Sequence, residues 1–301
     1  MKVLVTGATG LVGSTLIPFL SAGGHEVFRL TRSEATEAND ITWDPDSREL
    51  PKARLEGSDA VVHLAGENIA SVRWKPHVKE RLRRSRIETT RFLCESLAQL
   101  QRPPKILVCA SAIGYYGDRG AEILTEVSGP GTGFLPELCR DWEAACEPAR
   151  KAGMRVVNLR IGVVLSPLGG GLAQMLTPFR LGLGGVIGSG RQYWSWIAID
   201  DLVGAISHSL TNPHISGAVN ATAPSPVTNQ EFTKTLGTVL GRPTIFPMPG
   251  FAARIALGEM ANELLLASAR VMPNRLSESN YQFRWPTLDG ALRHLLALPT
   301  C

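Results

Sequence analysis

Gly7, Gly10 and Gly13 stand three residues apart in Thr6-Gly7-Ala-Thr-Gly10-Leu-Val-Gly13, directly behind the apolar run Lys2-Val-Leu-Val-Thr6. The chemistry such glycines permit belongs to the backbone. Gly7 allows a tight turn, Gly10 lets a ligand approach the main chain, and Gly13 lets the following helix sit close to its strand. The first N–H groups of a helix have no partner within it, so a helix opening on this turn holds a pyrophosphate. The turn residues Thr9, Leu11 and Val12 share that cradle. An apolar-periodic segment through Ile17 and Leu20 and a second strand-like run, His25 to Leu30, complete a βαβ unit that binds a dinucleotide.

The elements that position these residues alternate along the first two-thirds of the chain. Strand-like runs at Asp59–Leu64, Lys105–Ser111 and Met154–Arg160 are separated by helical patterns near Lys75–Gln101 and Phe134–Ala152. This alternation predicts the α/β class, a doubly wound parallel sheet with helices on both faces. Ligands of such sheets bind at the carboxyl ends of the strands, which singles out Gly7, Thr31, Leu64, Ser111 and Arg160. Ala65 and Gly66 follow Leu64 directly. Beyond residue 165 the chain becomes rich in glycine and proline, and from Asn229 helical patterning dominates. The expected organisation is a dinucleotide-binding domain over 1–165, substrate-covering loops and a return to the core over 166–224, and a smaller, mainly helical lobe over 225–301.

The second strand ends Arg29-Leu-Thr31-Arg32. A site for NAD usually places a carboxylate here, on the ribose hydroxyls. A hydroxyl followed by a guanidinium instead suits the 2′-phosphate of NADP, which a carboxylate would repel. The plainer reading of Arg32 is a solvated loop residue.

Composition narrows the classes. The 301 residues are 44% hydrophobic and 19% charged, with a net charge of +4. The one basic cluster, Lys79 to Arg86, is interrupted by Glu80 and followed by Glu88, so it reads as a helix face and not a nucleic-acid patch. No apolar run is long enough to span a membrane, and a strand that starts at residue 2 argues against a cleaved leader. Five cysteines without a CxxC pair predict reduced thiols in a cytoplasmic protein, and six scattered histidines predict no metal site. A small-molecule substrate and a monomer or homodimer are the expected partners.

Taken together, the TGxxGxxG turn, Asp59-Ala-Val-Val-His-Leu-Ala-Gly66, Ser111 with Tyr116-Gly117, and Trp196-Ile-Ala-Ile-Asp-Asp-Leu202 resemble the extended short-chain dehydrogenase/reductase superfamily of nucleotide-sugar epimerases and dehydratases. Gly66-Glu-Asn-Ile69, Arg73-Trp74, Ser85-Arg86-x-Glu-Thr-Thr90, Leu181 to Gly190 and Ser268-x-Arg-Val-x-Pro273 resemble an atypical branch with a helical C-terminal extension. The resemblance implies a Rossmann fold, a nicotinamide cofactor and hydride chemistry on a carbonyl or alcohol.

The chain departs from that pattern where proton transfer belongs. With Glu143 set on the acidic residue of the corresponding helix, Leu135 and Cys139 occupy the positions of the superfamily's tyrosine and lysine. Leucine transfers no proton and a neutral thiol supplies no charge. The candidates left are Ser111, to orient a substrate oxygen or cap its turn, and the neighbouring phenols Tyr115 and Tyr116, of which Tyr116 is the named candidate for a relocated acid. Arg86 stands where an asparagine is usual and either brings charge to the cofactor, holds its nicotinamide-side phosphate, or belongs to the basic helix face. Cys139 is either a redox-sensitive thiol facing the cofactor or a small buried hydrophobe. Arg160 either reaches the cofactor or forms a structural ion pair. Arg191, Tyr193, Trp194 and Trp196 fit a loop that covers substrate or aromatic packing between lobes. Two functions follow: an NADP(H)-dependent oxidoreductase or epimerase-like enzyme, and a cofactor-binding regulatory protein without catalysis, a reading that some relatives' association with division control keeps open.

Overall fold

The computed structural model describes residues 1–70 and 72–297. Seven strands form one parallel sheet: β1 (Lys2–Thr6), β2 (Glu26–Thr31), β3 (Asp40–Thr42), β4 (Ala60–His63), β5 (Ile106–Ala112), β6 (Arg155–Ile161) and β7 (Gly217–Ala221). Their spatial order is β7-β6-β5-β4-β1-β2-β3, so the direction of winding reverses between β1 and β4. A crevice opens at the carboxyl edge of such a reversal. The strands read as continuous apolar runs because both faces are covered. Val3 and Val5 pack on one side with Leu16, Leu20 and Leu202, while Leu4 points to the other with Leu93, Leu97 and Leu107.

Two predicted helices are each divided. The region near Lys75–Gln101 forms helices Pro76–Arg83 and Thr89–Ala98 around a widened π turn, Arg84–Glu88, which carries Arg86. Such turns re-aim side chains and cluster at functional sites. The region near Phe134–Ala152 forms helices Phe134–Ala144 and Glu147–Lys151. Pro148 cannot donate to a continuing helix and sits in the first turn of the second one.

Residues before and after 225 share one core cluster, which joins Leu165, Leu172, Leu176, Phe179, Trp194 and Trp196 to Phe232, Leu236, Leu288 and Leu292. Meanwhile β7, from the 166–224 segment, completes the large sheet beside β6. Trp194 and Trp196 are therefore core residues, and their indole N–H groups donate to the Leu265 and Ser225 carbonyls at 3.3 and 3.1 Å. Asp201 ties the chain's last third back, accepting the Arg284 and Trp285 N–H groups at 2.7 and 2.9 Å.

Among the described residues no helix is long and apolar enough to cross a membrane. Cys94, Cys109, Cys139 and Cys146 are buried free thiols, and Cys301 lies outside the described residues.

Candidate functional site

The glycine turn closes by a hydrogen bond from Gly10 N–H to Gly7 O at 3.0 Å, and helix Leu11–Ala22 begins at once. Gly7 has φ of 69°, and a Cβ there would lie 2.7 Å from the Leu64 carbonyl carbon. A Cβ on Gly13 would lie 2.2 Å from Gly7 O, which no side chain could tolerate. Both positions thus require glycine, one for conformation and closeness and the other for closeness alone. Gly10 and Thr9 are exposed, and Leu11 and Val12 half-buried. No side chain caps the helix and no carboxylate occupies its first turn. The leading N–H groups point outward with the positive end of the helix dipole behind them.

Leu64, Ala65 and Gly66 leave β4 across the crevice, and a buried network holds them there. Thr6 Oγ1 accepts the Leu64 and Ala65 N–H groups, each at 3.1 Å. With both lone pairs occupied, its proton goes to His63 Nδ1 at 2.7 Å. His63 must then donate from Nε2 to Thr90 Oγ1 at 2.9 Å, which also accepts the Trp142 indole N–H at 2.9 Å. Complete burial pushes the His63 imidazole down to about 4, so it is neutral and fixed in one tautomer.

The Trp142 ring leads to Arg86, whose guanidinium carbon lies 5.2 Å from its centroid. Arg86 also lies 3.5 Å from where a Gly66 Cβ would be, and it donates to Glu67 O at 2.8 Å. Its remaining contacts, to Leu82 O and Ser85 Oγ, are long at 3.5 and 3.4 Å. Burial lowers its affinity for its proton, against the charge of Glu67. A guanidinium with N–H groups to spare at the switch point can hold an anionic group.

At the end of β2, Thr31 Oγ1 lies 2.8 Å from Ser33 Oγ, with Arg32 exposed between them. Arg32 has no hydrogen bond or ion pair among the described residues. Two acidic residues further along are committed to another guanidinium: Arg29 binds Asp40 at 2.6 Å and Glu37 at 2.9 Å. The Arg29 guanidinium holds the buried Asp40 carboxyl far below the usual carboxylate range. The strand end therefore offers hydroxyl, guanidinium and hydroxyl. Ser33 was not legible from the sequence as part of this set.

The carboxyl edge of β5 and β6 is built differently. Ser111 and Arg160 are register neighbours across the two strands, and both reach Glu143 of helix Phe134–Ala144. Ser111 Oγ donates to Glu143 Oε1 at 2.8 Å, and Arg160 binds both carboxylate oxygens, at 2.8 and 2.9 Å. Arg160 is 4% exposed and Glu143 12%, so this is a buried, doubly hydrogen-bonded ion pair. Burial pulls the Arg160 guanidinium down, but the bonds and charge of Glu143 raise it above its usual value.

Arg160 also donates from Nη1 to Tyr116 Oη at 3.0 Å. Tyr116 is wholly buried, and its hydroxyl lies 2.7 Å from Asn220 Oδ1 of β7 and 3.0 Å from Thr125 O. Ser111 is 3% exposed. Both hydroxyls expected to face a substrate are thus held within a wall, because a buried guanidinium–carboxylate pair recruits every polar neighbour it can. Glu143 and Asn220 gave no functional signal in the sequence beyond Glu143's use in fixing the alignment.

Cys139 and Leu135 lie against the loop after β5. A Cβ on Gly114 would be 3.3 Å from Leu135 Cβ and 3.8 Å from Cys139 Sγ. Burial pushes the Cys139 thiol up to about 12, with Glu143 adding to the effect. It is a protonated, packed side chain and not a thiolate. Glu263, from the chain's last third, receives the Phe134 and Leu135 N–H groups at 3.1 and 2.7 Å and so caps this helix from outside. Farther out, a cleft of about 490 Å³ runs between Gly188–Gln192 and helix Gly250–Leu257, lined by Phe251, Arg254 and Leu266.

Comparison with known proteins bears on the whole chain. Residues 3–221 match the NAD dependent epimerase/dehydratase family, and residues 248–295 match a domain of unknown function, DUF1731. An epimerase family protein of Mycobacterium bovis is 43% identical over 99% of this chain and 98% of its own length. The crystal structure of human epimerase family protein SDR39U1 (isoform 2) with NADPH superposes with a TM-score of 0.91 at 38% identity, covering 99% of both chains. A nucleoside-diphosphate sugar epimerase from Corynebacterium glutamicum superposes at 0.82 with 39% identity, covering 98% of this chain and 58% of that one.

Proposed function

This chain belongs to the NAD dependent epimerase/dehydratase family, and from that premise we propose that it binds NADP(H) at the β1–β4 crevice and exchanges hydride with a small carbonyl or alcohol substrate. The observation that carries the reading is the uncapped start of helix Leu11–Ala22 behind Gly7, Gly10 and Gly13, facing the backbone of Leu64–Gly66. The residues present fit the group. The first-turn N–H groups would hold its pyrophosphate. Thr31, Arg32 and Ser33 would hold the 2′-phosphate, and Arg86 would add positive charge where the nicotinamide half passes β4. Human SDR39U1, similar over its full length, is crystallised with NADPH. When bound, the cofactor supplies or accepts the hydride; the chain's part is to position it and to move a proton.

The experiment is a side-by-side titration with NADPH and NADH, followed by energy transfer from the six tryptophans. Tight binding of NADPH and weak binding of NADH is the expected result. Equal affinity for the two would remove the role given to Arg32, and no binding of either would overturn the reading.

A second reading keeps the cofactor and drops the chemistry: a regulatory protein that responds to NADP(H). The burial of Ser111, Tyr116 and Cys139 favours it, because none of these three presents a proton to the crevice. Oxidation of bound NADPH by any member of a carbonyl panel excludes it.

A further inference from the structure

Tyr115 is the neighbour of a buried tyrosine, yet its surroundings differ in every respect that matters for proton transfer. It is half-buried, and its ring meets the Tyr116 ring edge-on at 5.3 Å. The Arg160 guanidinium carbon lies 3.5 Å from the Tyr115 ring centroid, against 5.2 Å for Tyr116. All the hydrogen bonds of Arg160 lie in its own plane, two to Glu143 and one to Tyr116. The flat face left over is the one that covers Tyr115. The Tyr115 hydroxyl has no hydrogen-bond partner among the described residues, and it is not among the enclosed polar atoms left unpaired. It therefore opens toward solvent.

Its place in the fold is also specific. It follows Gly114, where a Cβ would meet Leu135 and Cys139, and, like Ala269 from the chain's last third, it packs against the cluster of Tyr116, Leu124 and Val271. It thus stands at the carboxyl edge of β5, between the sheet and the smaller lobe. A fixed cation over the face of a phenol is the charge that a developing phenolate requires, and a guanidinium anchored by a carboxylate needs no rearrangement to provide it.

We propose that Tyr115 is the proton-transferring residue of this protein, with Arg160, stacked on its ring, as the balancing positive charge. The proposal rests on the NADP(H)-dependent reading above. When a carbonyl is reduced, its carbon takes a hydride from the reduced dinucleotide. Its oxygen takes the Tyr115 proton as the phenolic O–H bond breaks. The phenolate faces Arg160 and regains a proton from the water at its open side. Oxidation of an alcohol runs the same transfers in reverse. The arrangement separates the two duties of a tyrosine–lysine pair differently, because the cation lies on the ring face and comes from a strand, with no lysine on the tyrosine's own helix.

The test has a readout that needs no turnover. Tetranitromethane nitrates accessible tyrosines, and peptide mass spectrometry locates them. Tyr115 is expected to be nitrated and Tyr116 spared, with saturating NADP⁺ slowing the Tyr115 reaction severalfold. Nitration of Tyr115 at an unchanged rate in protein shown by tryptophan energy transfer to hold NADP⁺ overturns the proposal, while leaving cofactor binding intact. If NADP⁺ does not bind, it is the underlying reading that fails. Turnover then separates chemistry from placement, with 9,10-phenanthrenequinone as the carbonyl probe. Tyr115→Phe is expected to keep NADPH affinity and to lose about 100-fold or more in rate. 3-Fluorotyrosine at position 115 is expected to move the pH profile of that rate toward lower pH. An unimpaired Tyr115→Phe protein, or no turnover by wild-type protein that binds NADPH, overturns the assignment.

Discussion

Two stretches of the same sheet edge solve different problems. Where β1, β4 and β2 end, the surface proposed for the cofactor is mostly main chain: the N–H groups after Gly10, the turn Leu64–Gly66, and the exposed guanidinium of Arg32. Where β5 and β6 end, the surface is a knot of side chains, in which Glu143, Arg160, Ser111, Tyr116 and Asn220 satisfy one another. The first region leaves its hydrogen-bonding groups open and so can receive a ligand. The second closes nearly all of its own, and Tyr115 is the hydroxyl left outside. Polar residues at a strand end thus do not mark a site by type alone. What matters is whether their partners lie inside the protein.

The contrast can be broken most severely at the glycine turn. Gly13→Ala drives a Cβ to 2.2 Å from Gly7 O, so helix and strand must part. NADPH binding should fall below detection in an energy-transfer titration.

The second region should instead respond through stability. Glu143→Gln leaves a buried guanidinium without its counter-charge, which costs about 3–5 kcal/mol. Urea unfolding should show that loss, while the folded fraction still binds NADPH. If binding collapses as well, the two regions are more tightly coupled than their separate networks imply.

His63 sits between them. Its folded-state value of about 4 lies below that of an unfolded histidine, near 6.5, so the unfolded chain takes up the proton first. The stabilisation is complete above pH ~6.5 and is lost as pH falls toward ~4, on the order of 3 kcal/mol in all. Unfolding free energies at pH 7 and 4.5 should converge for His63→Gln to the extent that they diverge for the native chain.

A smaller and more selective effect is expected at Arg32. Arg32→Ala removes a charge-assisted contact worth roughly 1.5–3 kcal/mol and should weaken NADPH binding alone, with NADH binding and thermal stability unmoved. Smallest of all is Thr228→Ala. Thr228 and Glu231 form a reciprocal cap on helix Asn229–Leu240, remote from either region. Its loss should lower stability by about 1 kcal/mol without touching cofactor affinity.

Much of the first region was legible in the residues. Glycine acts through what it lacks, and a strand–glycine–helix order has few three-dimensional readings. The position of Thr31 and Arg32 was legible because one strand end fixes where they fall, although the nearness of Ser33 was not, since a single loop serine has no distinguishing pattern. The second region was not legible to the same degree. Ser111, Tyr116 and Cys139 are residue types that do chemistry, at positions where chemistry occurs. Nothing local reveals that Glu143, thirty-two residues after Ser111, accepts its hydrogen bond. Nor does local sequence distinguish Tyr115 from Tyr116, which differ by which side of the chain each phenol takes as it leaves the strand. How the chain on either side of residue 225 packs together was not legible for a related reason, because one core joins Trp194 and Trp196 to Phe232 and Leu288 across long stretches of chain.

The sequence by itself determined the parallel sheet, its winding and the backbone cradle at β1, because apolar runs, periodicity and glycine spacing act over a few residues. Only the tertiary structure decided which hydroxyls are buried, which guanidinium groups are paired and which phenol faces water. Those properties belong to partners brought together from distant parts of the chain, and a buried charge settles them by gathering every donor and acceptor within reach.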